Sequence, residues 1–532
     1  MDTSSVPPSN ALFNAADYLV DRHVRQGHGA QTAVVASKRT LTYEELADAV
    51  HHVAGGLQRL GVRPEERVVL CMADDIELLT AILAAMYLGA VPAPVSTMLT
   101  GVELGKLLVD SRAKVLCAST EFATAVSAAV ASAPEITDVV FDGIASSDMP
   151  QGVAVHQWDV LTSAGPTSKP YDTWPDSPAL WLYTSGTTGT PKAAMHRHES
   201  IRLVAESYGV GVLGIQPQDR FLSVAKLFFA YGIGNSCFFP LSVGATTILE
   251  RGRPTPAGIA ERIRAARPTL FFAVPTFYSS MLSSDIPDDT FSTVRQGISA
   301  GEALPAPLYE RLLRRFGLEV LDGIGSTEAL HIYLSNRPGK VVPGSSGVPV
   351  PGYHVDLRDE DGVVIDAPGQ PGTLFLRGSS IATGYWCRAS TTRQVFQGEW
   401  LRTGDAYVRN HDGSYSCLGR TGDILKAGGM WVSPAEVEER LLKHPDVAEA
   451  VVVAAPDAAG LEKPVACVVP QPGQSVVADE LVDWCREELA AFKRPRAVVV
   501  MEELPKTATG KIRRNVLREQ VVDVLKEDVV TA

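Results

Sequence analysis

Over its first two thirds the chain alternates short apolar runs with longer stretches of helical spacing. The runs are Val68–Met72, Val115–Cys117, Val139–Phe141, Leu180–Tyr183, Thr246–Leu249, Leu270–Val274 and Val320–Leu321. Short apolar runs bounded by turn residues read as buried strands. Strands that alternate with helices predict parallel sheets joined by crossover helices. One helix start is explicit. Thr42 is followed three residues later by Glu45, a capping box that predicts a helix from Tyr43 towards Leu57. The longest apolar run, Leu78–Val95, is preceded by Asp74, Asp75 and Glu77 and interrupted by Pro92 and Pro94. That pattern predicts a buried helix followed by a strand, not a membrane span.

The pattern changes at about Gly344. Strand-like pieces at Val355–Leu357, Gly372–Arg377 and Tyr415–Leu418 are separated by Pro-Gly, Asp-Gly and Gly-Ser turns, which predicts a small, strongly turned β subdomain at about 340–420. It changes again near Gly422. Ser433-Pro434-Ala435-Glu436 is a capping box with Pro at the first helical position, so a helix is expected through Leu442. Strands at Ala448–Ala454 and Val465–Val469, a helix near Ala478–Ala491 and a strand-like Val498–Met501 complete an α+β unit.

Composition narrows the classes. A chain of 532 residues exceeds one ordinary core, so at least two domains are expected. Lys plus Arg is 48 against 61 Asp plus Glu, a net charge of -13, and no basic stripe offers a nucleic-acid surface. The seven cysteines are odd in number and scattered, with no CxxC pair. They read as free thiols in a reducing cytoplasm, not as a disulfide scaffold or a zinc site. Met1 to Asn14 has neither a basic start nor an apolar core, so no signal peptide is expected.

The strongest chemical signal is Tyr183-Thr184-Ser185-Gly186-Thr187-Thr188-Gly189-Thr190-Pro191-Lys192, after the apolar strand Leu180 to Leu182. Glycines let backbone approach an anion, hydroxyls donate to its oxygens and the terminal Lys adds charge, which suits a polyphosphate. The P-loop of NTPases needs Gly before its Lys and Ser or Thr after it. Here Pro191 precedes Lys192 and Ala193 follows.

The run SGTTGTPK at 185–192 resembles the phosphate loop of the adenylate-forming superfamily: acyl- and aryl-CoA ligases, peptide-synthetase adenylation domains and luciferases. Six further motifs match in the same order: LTYEEL at 41–46, SAGEALP at 299–305, GIGSTE at 323–328, LRTGD at 401–405, GRTGDILKAGG at 419–429 and PKTATGKIRR at 505–514. The resemblance spans about residues 30 to 515. It implies an α/β fold: a large N-terminal domain, residues 1–422, of two parallel-type sheets with helices plus a distorted β-barrel subdomain. A small mobile α+β C-terminal domain, residues 423–532, would carry the adenylation lysine. It also implies a two-step reaction in which a carboxylate attacks the α-phosphate of ATP and the acyl group then passes to a thiol.

By the same resemblance, Thr184, Ser185, Gly186, Thr187, Thr188 and Lys192 would hold the phosphates of ATP. Thr327 would contact the α-phosphate and Glu328 would help hold Mg2+. Gly301, Glu302, Ala303, Asp322 and Gly323 would line the adenine pocket. Asp405 and Arg420 would lie at the ribose. Lys511 resembles the lysine that bridges acyl carboxylate and α-phosphate in the first step, and Lys426 one that faces the substrate in benzoate ligases. The family rotates its C-terminal domain about a residue that is usually Asp or Lys. Here that residue is Gly422, a departure that leaves rotation possible but alters its control.

Ala225-Lys226-Leu227-Phe228-Phe229-Ala230-Tyr231-Gly232-Ile233-Gly234-Asn235, with His331 and Ile332, resembles benzoate-CoA ligases. On that match Phe229, Ala230, Tyr231, Gly232, Ala300, Gly325, His331 and Ile332 would wall the acid pocket. Aromatic and small residues together make a flat apolar slot, suited to a benzene ring. An amino-acid substrate would need a buried carboxylate for its ammonium group, and this stretch has none.

The expected function is an aryl acid ligase of benzoate type, with coenzyme A as acceptor or, alternatively, the phosphopantetheine of a separate acyl carrier protein. Its partners would be small molecules or that carrier, with no nucleic acid and no membrane, and the chain would act as a monomer or homodimer. A luciferase-like oxidase on the same adenylation chemistry stays open. A rival from another class is a serine hydrolase, because Gly297-Ile298-Ser299-Ala300-Gly301 fits GxSxG. That elbow needs a helix directly after Ser, and Pro305 and Pro307 come too soon for one.

Overall fold

The computed structural model describes residues 11–144, 149–185, 191–421, 425–427, 430–432, 434–456, 462–489, 491, 493–506 and 512–522. The capping box at Thr42 forms as expected. The Glu45 amide donates to Thr42 Oγ1 at 3.2 Å and the Thr42 amide to Glu45 Oε2 at 2.8 Å. The helix it starts runs over Tyr43–Arg59. The apolar run after Asp74 folds as a helix, Ile76–Tyr87, capped by Asp75 and buried at every position but Glu77, and then as the strand Val91–Pro94. No helix among the described residues is long and apolar enough to cross a membrane.

Two sheets organise the N-terminal part. One is five-stranded and wholly parallel, in the order Val91–Pro94, Arg67–Cys71, Val115–Ala118, Asp138–Phe141, Ala154–Gln157. The other is nine-stranded. Its parallel centre runs from Thr32–Val35 through Thr246–Ile248, Arg220–Ser223, Leu270–Ala273 and Gln296–Ser299 to Val320–Gly325. Antiparallel strands close both of its edges: Thr40–Thr42 on one side, Ile332–Ser335 and Val348–Pro349 on the other. The central strands are buried on both faces, which is why they read as unbroken apolar runs.

The expectation of parallel alternation fails at one run. Leu180–Tyr183 belongs to Pro178–Ser185, which pairs antiparallel with Pro191–Arg197 in a separate two-stranded hairpin. The physical reason is length. Only Gly186 to Thr190 join the two strands, and so short a connection permits a hairpin but no crossover.

After Gly344 the turned β subdomain appears as a curled antiparallel sheet. His354–Arg358, Pro371–Arg377, Trp400–Arg409 and Tyr415–Arg420 pair in succession, and Phe396–Gln397 adds to one edge. The C-terminal α+β domain contains the helix Pro434–Leu442 and a three-stranded sheet of Val447–Pro456, Glu462–Pro470 and Ala497–Val500. It also contains the helices Ala478–Glu488 and Arg514–Val521. The expected cap of Pro434–Leu442, Ser433, and the expected hinge, Gly422, lie outside the described residues.

The sheets meet at the carboxyl ends of their strands. Arg251, just past Thr246–Ile248, reaches Asp75 at 3.3 Å, Glu121 at 3.0 Å and Asp142 at 3.0 Å. Each of these carboxylates follows a strand of the five-stranded sheet. Ligands of open α/β sheets bind outside such carboxyl ends, and residues 229–232, 300–303 and 325–328, singled out from the sequence, follow or end strands of the nine-stranded sheet.

Candidate active site

Of four adjacent parallel strands, three lead into pieces of the candidate site. Arg220–Ser223 leads into the aromatic segment 225–235, Gln296–Ser299 into 300–303 and Val320–Gly325 into 326–328. Between the first two lies Leu270–Ala273. Register places Ser299 opposite Asp322. Asp322 is buried, and burial pushes its carboxyl up to about 8. Its Oδ1 has no hydrogen-bond partner among the described residues. An unpaired buried oxygen is costly in an apolar interior and suits a site that accepts a donor from a ligand.

The two strands of the hairpin flank the run expected to hold phosphates. Thr184 faces Lys192 and Ser185 faces Pro191, while Gly186, Thr187 and Thr188 lie outside the described residues. Residues 382–386 run beside the hairpin. The Thr383 amide donates to Met195 O at 2.9 Å, the Met195 amide to Gly384 O at 3.0 Å and the Trp386 amide to Ala193 O at 3.0 Å. Tyr385 thereby stands between two of the expected groups. Lys192 Nζ lies 4.8 Å from the centroid of its ring, and its hydroxyl donates to Glu328 Oε1 at 2.6 Å. The other Glu328 oxygen accepts no hydrogen bond from the described residues. Thr327 is held through its carbonyl, which accepts from His196 Nε2 at 2.8 Å. Burial pushes His196 down to about 4, so near neutral pH the ring is uncharged and its Nε2–H is the donor of this bond.

Asp405 and Arg420 face each other across neighbouring strands, with Arg420 Nη1 3.1 Å from Asp405 Oδ1. The carboxylate raises the guanidinium further above its ordinary range. Tyr333 sits in the field of Asp405, Arg420 and Glu328, fully buried and with its hydroxyl unpaired among the described residues.

The aromatic segment turns back on itself beside His331. The imidazole is buried among Phe239, Tyr208 and Tyr231, at centroid distances of 4.5, 5.4 and 5.6 Å. Asn235 Oδ1 lies 3.1 Å from its Nε2, and Asn235 Nδ2 donates to Ser223 Oγ at 3.4 Å. Burial pushes the ring down to about 3, so it is neutral near pH 7. Gly234 is where the ring packs, since a Cβ there would lie 2.3 Å from His331 Cδ2. Tyr231 is pinned by its hydroxyl, which donates to Ile298 O at 3.0 Å. Ala300 is buried, and Gly325 faces Ile332 across the antiparallel edge.

AMP-binding enzymes as a family match residues 20–386, and the AMP-binding enzyme C-terminal domain matches 436–511. The chain belongs to this adenylate-forming family. It is similar to a benzoate–CoA ligase of Thauera aromatica, 41% identical over 525 residues that cover 97% of this chain and 98% of that one. Its fold is similar to the crystal structure of an anthranilate CoA ligase in complex with anthranoyl-AMP. The TM-score is 0.90 at 37% identity, over 98% of this chain and 99% of that one. A benzoate CoA ligase from Burkholderia xenovorans superposes with a TM-score of 0.88 at 41% identity, over 95% and 100% of the two chains.

Family membership disposes of the hydrolase reading, and the local geometry agrees. Ser299 ends a buried strand, opposite Asp322 in register. The next helix, Ala306–Phe316, begins only after residues 300–305, and Pro305 before it is extended. A nucleophile elbow would turn into its helix at the serine itself. The seven cysteines are free thiols. Among the described residues no cluster of three or more His, Cys, Asp or Glu could hold a metal on its own. Of the lysines expected to act, Lys511 lies outside the described residues, and Lys426 is placed only by its backbone in the strand Leu425–Ala427. Tyr385, His196, Tyr333, Tyr208 and Phe239 escape a reading of the sequence. None carries a motif, and only the fold brings them to the site.

Proposed function

We infer that the protein is an AMP-forming aryl acid–thiol ligase. With ATP it converts an aromatic carboxylic acid into its acyl-adenylate and pyrophosphate, then passes the acyl group to the thiol of coenzyme A with release of AMP. The observation that carries the aromatic substrate is the cluster of rings packed on neutral His331, beside a segment 225–235 that holds no carboxylate. A flat apolar wall favours a ring, and the absence of a buried anion disfavours an ammonium group. The named relatives, ligases of benzoate and anthranilate, support the same class.

In this reading Asp322 lines the adenine pocket with Gly301, Glu302, Ala303 and Gly323, and Asp405 with Arg420 binds the ribose. Thr184 to Thr188 and Lys192 hold the phosphates. The acid lies against Phe229, Ala230, Tyr231, Gly232, Ala300, Gly325, His331 and Ile332. Its carboxylate oxygen attacks the α-phosphorus, the bond to pyrophosphate breaks, and Thr327, Lys192 and Lys511 offset the charge that gathers on the phosphate oxygens. Magnesium fits the residues present, because the one Glu328 oxygen that accepts no hydrogen bond from the described residues suffices when phosphates and water complete the shell. When bound, it would neutralise phosphate charge. The second step follows rotation of residues 423–532 about Gly422, which brings Lys426 towards the site. The thiolate then attacks the acyl carbon and AMP leaves.

Tyr385 supplies a test of the Glu328 assignment. In Tyr385→Phe the carboxylate loses the hydrogen bond that orients it. The Mg2+ concentration for half-maximal pyrophosphate release is expected to rise about tenfold, the lower end for one lost hydrogen bond to a charged group, with the benzoate KM unchanged. A matching rise in the Mn2+·ATP dissociation constant, read by electron paramagnetic resonance, checks it without turnover. No change in either would remove Glu328 from the metal site.

The substrate class is tested by pyrophosphate release over a panel of acids. Benzoate and benzoates with small substituents should be turned over and palmitate should not; a preference for long alkyl acids would refute the aromatic slot. The acceptor is tested by offering benzoate, ATP and either coenzyme A or a phosphopantetheinylated carrier protein, with the thioester read by mass spectrometry. The coenzyme A thioester is expected. Acylation of the carrier alone would select the alternative.

A further inference from the structure

Asp74 belongs to none of the groups assigned so far. It follows the strand Arg67–Cys71 of the five-stranded sheet and directly precedes Asp75, the cap of Ile76–Tyr87. Its side chain crosses into the other sheet's territory. The carboxylate is only 5% exposed, and its Oδ2 accepts the buried amide of Leu227 at 3.0 Å. Its Oδ1 has no hydrogen-bond partner among the described residues. Burial raises the carboxyl to about 6, against the charge of Lys226 and the Leu227 amide.

The amide it holds opens the turn that builds the acid pocket. The Phe229 amide donates to Lys226 O at 3.0 Å and the Ile233 amide to Phe229 O at 2.8 Å, so Leu227 and Phe228 are the bend itself. From the other side Lys226 Nζ donates to Gly252 O at 2.7 Å and also to Glu250 O. The bend is therefore gripped at two neighbouring residues, by an anchor from each sheet. Phe229, Ala230 and Tyr231 emerge from it into the pocket. A buried backbone N–H with no acceptor is costly, and the bend has no alternative among the described residues for the Leu227 amide.

We propose that Asp74 is a positioning residue for the aromatic acid: it sets the bend at Leu227 and through it the wall formed by Phe229, Ala230 and Tyr231. This rests on the reading of that wall as the acid pocket. The hydrogen bond that Asp74 accepts comes from the acid-pocket bend and from neither ATP-binding segment, so its effect falls on the acid and not on the nucleotide.

The test compares Asp74→Ala and Asp74→Asn in the full chain, by pyrophosphate release with benzoate and MgATP varied separately. In Asp74→Ala the benzoate KM is expected to rise about tenfold, the size of one lost buried hydrogen bond, while the MgATP KM stays within about twofold of wild type. In Asp74→Asn the amide oxygen still accepts from Leu227, and the benzoate KM returns to within about threefold. An unchanged benzoate KM in Asp74→Ala, a MgATP KM that rises in step with it, or an Asn variant as impaired as the Ala variant overturns the proposal. Should Asp74→Ala fail to fold, Asp74→Glu carries the same comparison, because one added methylene misplaces the acceptor while keeping the charge. Wild-type protein that releases pyrophosphate with no aromatic acid refutes the aryl-ligase reading instead. Asp74 is then tested with whichever acid is accepted.

Discussion

Lys511→Ala is expected to lower acyl-adenylate formation about a thousandfold, the upper range for removing one group that stabilises transition-state charge. The same variant should convert supplied benzoyl-adenylate and coenzyme A to thioester at a rate close to wild type. The attack of a carboxylate on a phosphate brings like charges together, and a cation bridging both is used in that step alone. Lys506, the nearest lysine in the chain, does not stand in for it, being engaged with Glu449 at 2.7 Å. The residues on either side of the segment that carries Lys511 are tied together. Lys506 and Ile512 form an antiparallel bridge, and the Arg513 amide donates to Pro505 O at 2.8 Å. The packing that holds this part of the domain is centred elsewhere, on Leu504, Leu517 and Val521. The two half-reactions are measured separately, by pyrophosphate release and by mass spectrometry of the thioester. Equal loss of both would remove Lys511 from the adenylation step.

Gly232→Ala should lower kcat/KM for benzoate about a hundredfold, while the affinity for MgATP, read by calorimetry, stays within about twofold. The reason is space. A Cβ at Gly232 would lie 1.9 Å from Lys226 O and 2.7 Å from Ala225 O, both backbone atoms. Neither can swing away as a side-chain tip would. The bend at Leu227 is gripped by Asp74 and by Lys226, so the strain is expected to move Phe229 to Tyr231 into the space proposed for the acid. Overpacking of a tight interior costs about 1–3 kcal/mol, which is about fivefold to 150-fold in rate or affinity. An alanine variant with wild-type benzoate kinetics would mean that the turn is looser than the structure shows.

Much of this protein is legible in its sequence, for identifiable reasons. The capping box at Thr42 works through neighbours three residues apart, so its outcome needs no tertiary knowledge. The run after Asp74 is a helix and then a strand because its two prolines lie past the helix end. The turns after Gly344 mark an antiparallel sheet because glycine and proline dictate local backbone. Asp405 and Arg420 are each legible as motif residues, whereas their ion pair across neighbouring strands comes from register. The hairpin around the phosphate run misleads, because an apolar strand looks alike whether its partner runs parallel or antiparallel.

Local order along the chain, then, determined the elements, the adenylate-forming family and the residues proposed to meet ATP and the acid. Those signals are carried by backbone preference, glycine placement and the spacing of polar groups, all of which act over a few residues. Only the tertiary structure decided what stands behind them: Tyr385 against Glu328, His196 on Thr327, Tyr208 and Phe239 around His331, and Asp74 under Leu227. The three hydrogen bonds among these join residues 57 to 153 positions apart, and the cage around His331 closes from several elements. A hydrogen bond of about 3 Å carries no trace in either partner's neighbourhood, so distance in sequence hides it until the sheets bring their carboxyl ends together.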